Sequence, residues 1–385
     1  MTILFVINSL VGGGAERVFL DMLKNLNRSQ FEVDVLVVDD FGIHCKEMKS
    51  IVDYQKIIRH ASRPQLIRWF WGAISICKTR YLKICSPQAL HKRYIKKKYD
   101  MEVAYIEGMA TKIVAGGTTG FRCAWVHTDV INNPWAETYY RTKEEEKSAY
   151  QRMNKVIAVS RSVKEAADKK FQIQSEVRYN ILDDQRIREL AKTNIETWNT
   201  DNLTIVSVGT LWWAKGYLRL IKCIEKLLEQ GCAVELYIIG DGEDREMLER
   251  YIKQQGLGEK VHLLGFLKDP YGLMCQADIY VCSSYAEGFS TSVTEALILG
   301  IPIVTTECAG MHELLGKSEY GLIVKNSDEA LQQGLYQLVA NDEIRKHYKT
   351  MSSKRGKDFQ VYNNIEKLER MFLEYYESEK IRGEI

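Results

Sequence analysis

At 385 residues the chain is too long for one ordinary hydrophobic core and fits two domains of comparable size. Hydrophobic residues at 45% and charged residues at 27% describe a globular chain and exclude a disordered one. A formal net charge of +2 excludes a chain-wide attraction to nucleic acid, so any basic function has to be local.

The predicted elements alternate. Thr2–Ile7 reads as a strand, and Gly12-Gly13-Gly14 turns it into a helix over Ala15–Leu26 with apolar residues at helical spacing. Phe31–Val38, Met101–Ile106, Cys123–Val126 and Val156–Val159 are further strands. The polar, weakly periodic stretch 186–202 is the expected linker. The pattern then restarts with strand Leu203–Val208 and helix Tyr217–Gln230. Strand Val234–Ile239 closes on Gly240-Asp241-Gly242 and leads to helix Asp244–Gln255. Val261–Leu264, Ile279–Val281 and Ile301–Val304 complete a second sheet, and helices over Asp328–Val339, Glu343–Ser352 and Asn363–Glu379 finish the chain. This alternation implies parallel βαβ units, hence an α/β chain of two Rossmann-like, doubly wound parallel-sheet domains over 1–185 and 203–355. Ligands of such sheets bind beyond the carboxyl ends of the strands.

The richest stretch for chemistry is Glu287–Leu297. An apolar strand precedes it, and a helix over Val293–Leu299, stopped by Gly300, follows. Glu287 and Glu295 therefore bracket a strand-to-helix turn carrying Gly288, Phe289, Ser290 and Thr291. A helix N-terminus suits a phosphate, and carboxylates beside it suit sugar hydroxyls, so the pattern points to a nucleotide sugar. A second reading makes Ser292 and Glu295 a capping box. Lys215 sits near a predicted helix start, which the helix dipole disfavours unless an anion is nearby. Gly12-Gly13-Gly14 does not fit the dinucleotide fingerprint, because Arg17 stands where its third glycine belongs. Asp39 and Asp40, ending the second strand, still match the ribose-binding acid of a dehydrogenase, so that reading stays open here.

Taken together, Gly12–Arg17, Trp125-Val126-His127-Thr128-Asp129, Val208-Gly209 with Lys215-Gly216, Gly240-Asp241-Gly242, Glu287–Glu295 and Gly310–Leu315 resemble the retaining glycosyltransferases of family 4 and, within them, enzymes of bacterial polysaccharide assembly. That family has two facing Rossmann-like domains, the GT-B architecture, and the resemblance extends over nearly the whole chain. It implies a terminal segment, 356–385, packing back towards the first domain. It also implies transfer from a UDP- or GDP-linked sugar to a glycan or lipid-linked saccharide, with no cofactor and no metal. On this reading Glu295 meets the ribose, Glu287 and His127 lie beside the donor sugar, and Lys215 neutralises the leaving diphosphate. Gly13, Gly14, Thr210, Gly240, Gly242 and the backbone of Gly288, Phe289, Ser290 and Thr291 line the donor. Glu16, Arg17, Glu107 and Asp129 belong to the acceptor side, with Asp129 either orienting His127 or capping a loop. Thr210 departs from the arginine the family often has there. Two rivals share the same donor: a sugar-nucleotide epimerase of this fold and a non-catalytic nucleotide-sugar-binding subunit.

Between 68 and 98 nine basic residues occur without Asp or Glu, interleaved with Trp69, Phe70, Trp71, Tyr81 and Tyr94. A solvated face and an anionic membrane surface are both consistent with this, and RNA less so. The nine cysteines form no C-x-x-C pair and read as reduced thiols. The N-terminus lacks the features of a signal peptide, and the longest uncharged apolar run is shorter than the roughly 20 residues a membrane span needs. The expected location is the cytoplasm, possibly on the cytoplasmic face of a membrane.

Overall fold

The computed structural model describes residues 1–59, 80–118, 120–193 and 200–382. They form two units: Met1–Ile181 with Tyr362 onward, and Leu182–Val361.

The first unit is built on a seven-stranded sheet. Its strands are β1 (Thr2–Ile7), β2 (Glu32–Asp40), β3 (Tyr54–Arg59), β4 (Met101–Ala104), β5 (Phe121–Val126), β6 (Lys155–Ala158) and β7 (Glu176–Val177), in spatial order 3-2-1-4-5-6-7. Every pairing is parallel. β1 and β4 are buried almost throughout, the pattern of central strands covered on both faces. The helix Val361–Arg382 packs on this unit: Phe372 meets Phe5, Phe31 and Trp125 edge-on at 6.2–6.3 Å, and Tyr375 stacks on Phe121 at 5.0 Å. The terminal segment belongs with the first unit from Tyr362 onward, whereas 356–361 belong to the second.

The second unit repeats the plan with six parallel strands, β8 (Leu203–Val208), β9 (Val234–Ile239), β10 (Val261–Gly265), β11 (Ile279–Cys282), β12 (Ile303–Thr306) and β13 (Leu322–Val324), in order 10-9-8-11-12-13. Its core gathers β8, β9 and β11 with the strongly amphipathic helix Tyr217–Glu229, whose Leu220, Ile221, Ile224 and Leu227 are fully buried.

The expected linker is corrected. Asp184–Thr193 is a helix that buries Ile187, and it packs against the helices Tyr271–Met274 and Thr291–Leu299 of the second unit. One buried apolar side chain in a polar segment left too weak a pattern to read. Residues 194–199 of that stretch lie outside the described residues, as do Arg68, Trp69, Phe70, Trp71 and Lys78 of the basic stretch. Each described cysteine is free. Among the described residues no helix is long and apolar enough to cross a membrane.

Candidate active site

In each sheet the strand order reverses once, between β1 and β4 and between β8 and β11. Loops leaving the carboxyl ends of two such neighbours diverge, and the crevice they leave is where doubly wound sheets hold ligands. Most of the residues singled out in the sequence gather at these two places.

In the second unit, the loop after β8 carries Lys215 on a short 3₁₀ turn, Trp213–Lys215. The loop after β11 carries Glu287. Their side chains meet across the switch point, Nζ to Oε1 2.7 Å, and Ser284 Oγ donates to the same carboxylate oxygen at 2.5 Å. Burial works against the Lys215 charge, but Glu287 outweighs it and holds the ammonium pKa above the ordinary lysine value. The pair is therefore a fixed cation with its counter-ion, one-quarter and one-tenth exposed. Gly216, directly after Lys215, has φ +65°, and a Cβ there would lie 2.2 Å from the Ser283 carbonyl oxygen. Only glycine lets the two loops approach this closely.

The helix Thr291–Leu299 starts two residues earlier than its apolar pattern predicts and stops at Gly300 as expected. Its cap is Ser290, whose Oγ accepts from Val293 N–H at 3.4 Å. The Ser292–Glu295 capping box is therefore corrected. Glu295 lies a full turn into the helix, nine-tenths buried, and accepts from Tyr271 OH at 3.0 Å. Phe289 is buried beneath the turn. Gly240 and Gly242 sit against the loop after β8: a Cβ on either would come within 2.3 Å of the Gly209 or Leu211 carbonyl oxygen. Leu211 N–H donates to Asp241 O in the same contact, which fixes the backbone beside Thr210.

In the first unit Asn8, directly after β1, spans the switch point. Its Nδ2 donates to Glu107 O at 2.6 Å and its Oδ1 accepts from Ala110 N–H at 2.8 Å. Glu107 is fully buried and acts as a brace: Oε1 accepts from His127 N–H, Thr128 N–H and Thr128 Oγ at 2.7, 2.7 and 2.9 Å. His127 Nε2 lies 2.8 Å from Tyr105 O, which makes Nε2 the protonated nitrogen of the neutral ring. Nδ1 is buried without a partner among the described residues and is left as a hydrogen-bond acceptor. Burial holds the imidazole below its ordinary pKa, against the opposing pull of Glu107 and the Tyr105 carbonyl.

That environment has a consequence for stability. The unfolded chain takes up a proton on this histidine near pH 6.5 and the folded one does not, so folding loses free energy as pH falls below that value. The thermal midpoint should fall between about pH 7.5 and pH 5.5, and by less in His127→Gln, whose amide can still donate to Tyr105 O. Equal slopes would show that His127 does not contribute.

Four of the residues singled out have partners within the first unit, Asp129 in the loop-cap reading already open to it. Asp129 does not orient His127; it caps its own loop, accepting from Ile131 N–H, Asn132 N–H and Asn132 Nδ2. Arg17 is committed to Asp21 and Glu47, the latter shared with Lys24. Glu16 folds back on the first helical turn against Gly13, and burial raises its pKa. Asp40 is held by Tyr54 and Lys56, so this carboxylate is not open to a ribose.

Sequence reasoning missed Arg219. It is 2% exposed, with Nε on Ser283 O at 2.6 Å, Nη2 on Ser284 O at 2.5 Å and Nη1 on Asn326 Oδ1 at 2.8 Å, so it pins the strand end that presents Glu287. The signal was available: an arginine in the first turn of Tyr217–Glu229 opposes the helix dipole, as Lys215 does.

Residues 190–355 match the family model described as Glycosyl transferases group 1. The chain has the GT-B fold, and it resembles group 1 glycosyltransferases, among them enzymes of bacterial polysaccharide assembly. The Campylobacter jejuni N-acetylgalactosamine-N,N'-diacetylbacillosaminyl-diphospho-undecaprenol 4-alpha-N-acetylgalactosaminyltransferase is 27% identical over 92% of this chain and 94% of its own length. The Rhizobium meliloti lipopolysaccharide core biosynthesis glycosyltransferase LpsE is 28% identical over 38% of this chain, which spans 42% of that relative. Among solved structures, Anabaena HepE in complex with UDP and glucose aligns with a TM-score of 0.74 at 19% identity, covering 97% of this chain and 99% of that one. WaaG, a glycosyltransferase involved in lipopolysaccharide biosynthesis, aligns at 0.64 and 16%, covering 95% and 98%. These structural likenesses establish the fold.

Proposed function

We propose that the protein transfers a sugar, with retention of anomeric configuration and without a metal, from a nucleotide-diphospho-sugar to a hydroxyl of a lipid-linked saccharide. The observation that carries this reading is the Lys215–Glu287 pair at the switch point of the second unit, beside the Ser290-capped helix N-terminus. As the bond between anomeric carbon and phosphate oxygen breaks, the diphosphate gains charge. Lys215 and the helix N-terminus stabilise it there. The same phosphate oxygen takes the proton of the acceptor hydroxyl, whose oxygen bonds to the anomeric carbon on the face the diphosphate leaves. Glu287 positions the Lys215 ammonium and meets sugar hydroxyls, and Glu295 meets the ribose. In the first unit Gly13 and Gly14 serve the donor, and the turn at Glu107, which holds His127, serves the acceptor. The lipid-linked acceptor is supported by the Campylobacter relative, whose name gives a diphospho-undecaprenol saccharide as its substrate.

A thermal-shift series with UDP, GDP and ADP, followed by hydrolysis and transfer assays with the matching sugars, tests the reading. A rise with one nucleoside diphosphate, and turnover unchanged by EDTA, are expected. Absence of any stabilisation would sink it, and loss of turnover in EDTA would remove the metal-free part.

We further propose that the basic segment rests on an anionic membrane at the cytoplasmic face. Its described part exposes Arg80, Lys83, Lys92, Arg93, Lys96 and Lys98 beside Ile84, which is 64% exposed. At about 1 kcal/mol per basic residue near such a surface, Lys92→Glu with Arg93→Glu and Lys96→Glu should abolish sedimentation with phosphatidylglycerol vesicles. Equal sedimentation with phosphatidylcholine would count against it.

A further inference from the structure

Trp213 and Tyr285 are two of the most exposed aromatic side chains of the second unit, 59% and 45% accessible, and they adjoin each other. Their rings are nearly parallel, 26° apart, with centroids 6.4 Å distant. Large aromatic surface left in water at a fixed position is characteristic of a binding face. This face is held in place from below. The Arg219 guanidinium lies 3.8 Å from the Tyr285 ring centroid while donating to the carbonyls of Ser283 and Ser284. Tyr285 N–H donates to Ala214 O at 2.7 Å, and Asn326 Nδ2 to Tyr285 O at 2.9 Å. Trp212 meets Trp213 edge-on at 5.6 Å. The rings therefore lose little freedom on binding, which is what preorganisation contributes to affinity.

Position narrows the ligand. Trp213 is two residues before Lys215, and Tyr285 two residues before Glu287, so the platform borders the groups assigned to the leaving diphosphate and the donor sugar. A pyranose presents an apolar C–H face between equatorial hydroxyls, which fits flat on an aromatic ring and leaves the hydroxyls to water or to neighbouring polar groups. We propose that the Trp213–Tyr285 platform binds a pyranose ring of the acceptor saccharide and sets which acceptors are used. This rests on the transferase reading above and adds the residues of this chain that select the acceptor.

The test uses the full chain with free chitobiose, maltose and cellobiose as probes, followed by saturation-transfer NMR, with UDP binding measured in parallel. With the wild type, saturation should reach the ring C–H protons of at least one disaccharide. Trp213→Ala should weaken that binding about tenfold, the loss of one ring stack, and Trp213→Phe should keep most of it. UDP affinity should stay within about twofold in both variants, because Trp213 is exposed and its loss leaves the Lys215–Glu287 pair intact. Tyr285→Ala is the second variant and should act like Trp213→Ala. Disaccharide signals unchanged in both alanine variants, or absent with the wild type, would overturn the proposal. An equal loss of UDP affinity would overturn it too, since the rings would then be holding the donor's base. Failure of the wild type to bind UDP is a separate result that removes the transferase reading itself.

Discussion

Replacing Lys215 with alanine is expected to lower the rate of sugar transfer about 10²–10³-fold while leaving the fold intact, as removal of one preorganised donor to a developing charge does. The lysine is one-quarter exposed and its one close ionic partner among the described residues is Glu287, which keeps the Ser284 hydroxyl as a donor when the ammonium is gone. The thermal midpoint should accordingly shift little. Lys215→Arg is the informative companion. A guanidinium is larger and planar, and the 3₁₀ turn between Leu211 and Gly216 holds Lys215 at a set distance from Glu287, so charge alone should restore only part of the rate. Steady-state assays over a range of donor concentration read this directly. A loss confined to KM for the donor, with kcat intact, would mean that Lys215 binds the ground state and does not stabilise departure of the diphosphate.

Glu107→Ala should unfold the first unit at a much lower temperature. One buried carboxylate oxygen accepts three hydrogen bonds, and its loss strands two backbone N–H groups and the Thr128 hydroxyl in the interior. That costs about 3–5 kcal/mol, a fall of about 10 °C or more in the first unit's midpoint. Glu107→Gln separates geometry from charge: its amide oxygen can accept the same bonds, so at least half of the stability should return. His127 shares this turn, so activity should follow stability across the two variants. A full loss of transfer in the stable Gln variant would instead assign Glu107 a direct part in the reaction.

Much of this was legible in the chain. Central strands such as Thr2–Ile7 and Val234–Ile239 are continuous apolar runs because both faces of a parallel sheet are covered, and they were read within a residue or two. The missed strands are β3, β7 and β13. β3, β7 and β13 lie at sheet edges, where half of the backbone is unpaired and polar residues such as Gln55, Lys56 and Glu176 are tolerated. Glu287, Lys215, His127 and Glu107 were legible as residues, from their places after predicted strands. Their partners were not. That Lys215 would neutralise Glu287, 72 positions on, or that Tyr105 O would hold His127, depends on strand order. Local pattern does not encode that order.

The placement of Phe372 has a consequence for how the chain is made. The second unit, Leu182–Val361, is contiguous and can fold as soon as it leaves the ribosome. The first unit emerges earlier but lacks the aromatic wedge that Phe372 drives between Phe5, Phe31 and Trp125 until the helix Val361–Arg382 has followed the second unit out. Synthesis order and folding order are therefore reversed. A nascent chain stalled before that helix should carry a protease-resistant second unit behind a protease-sensitive first one.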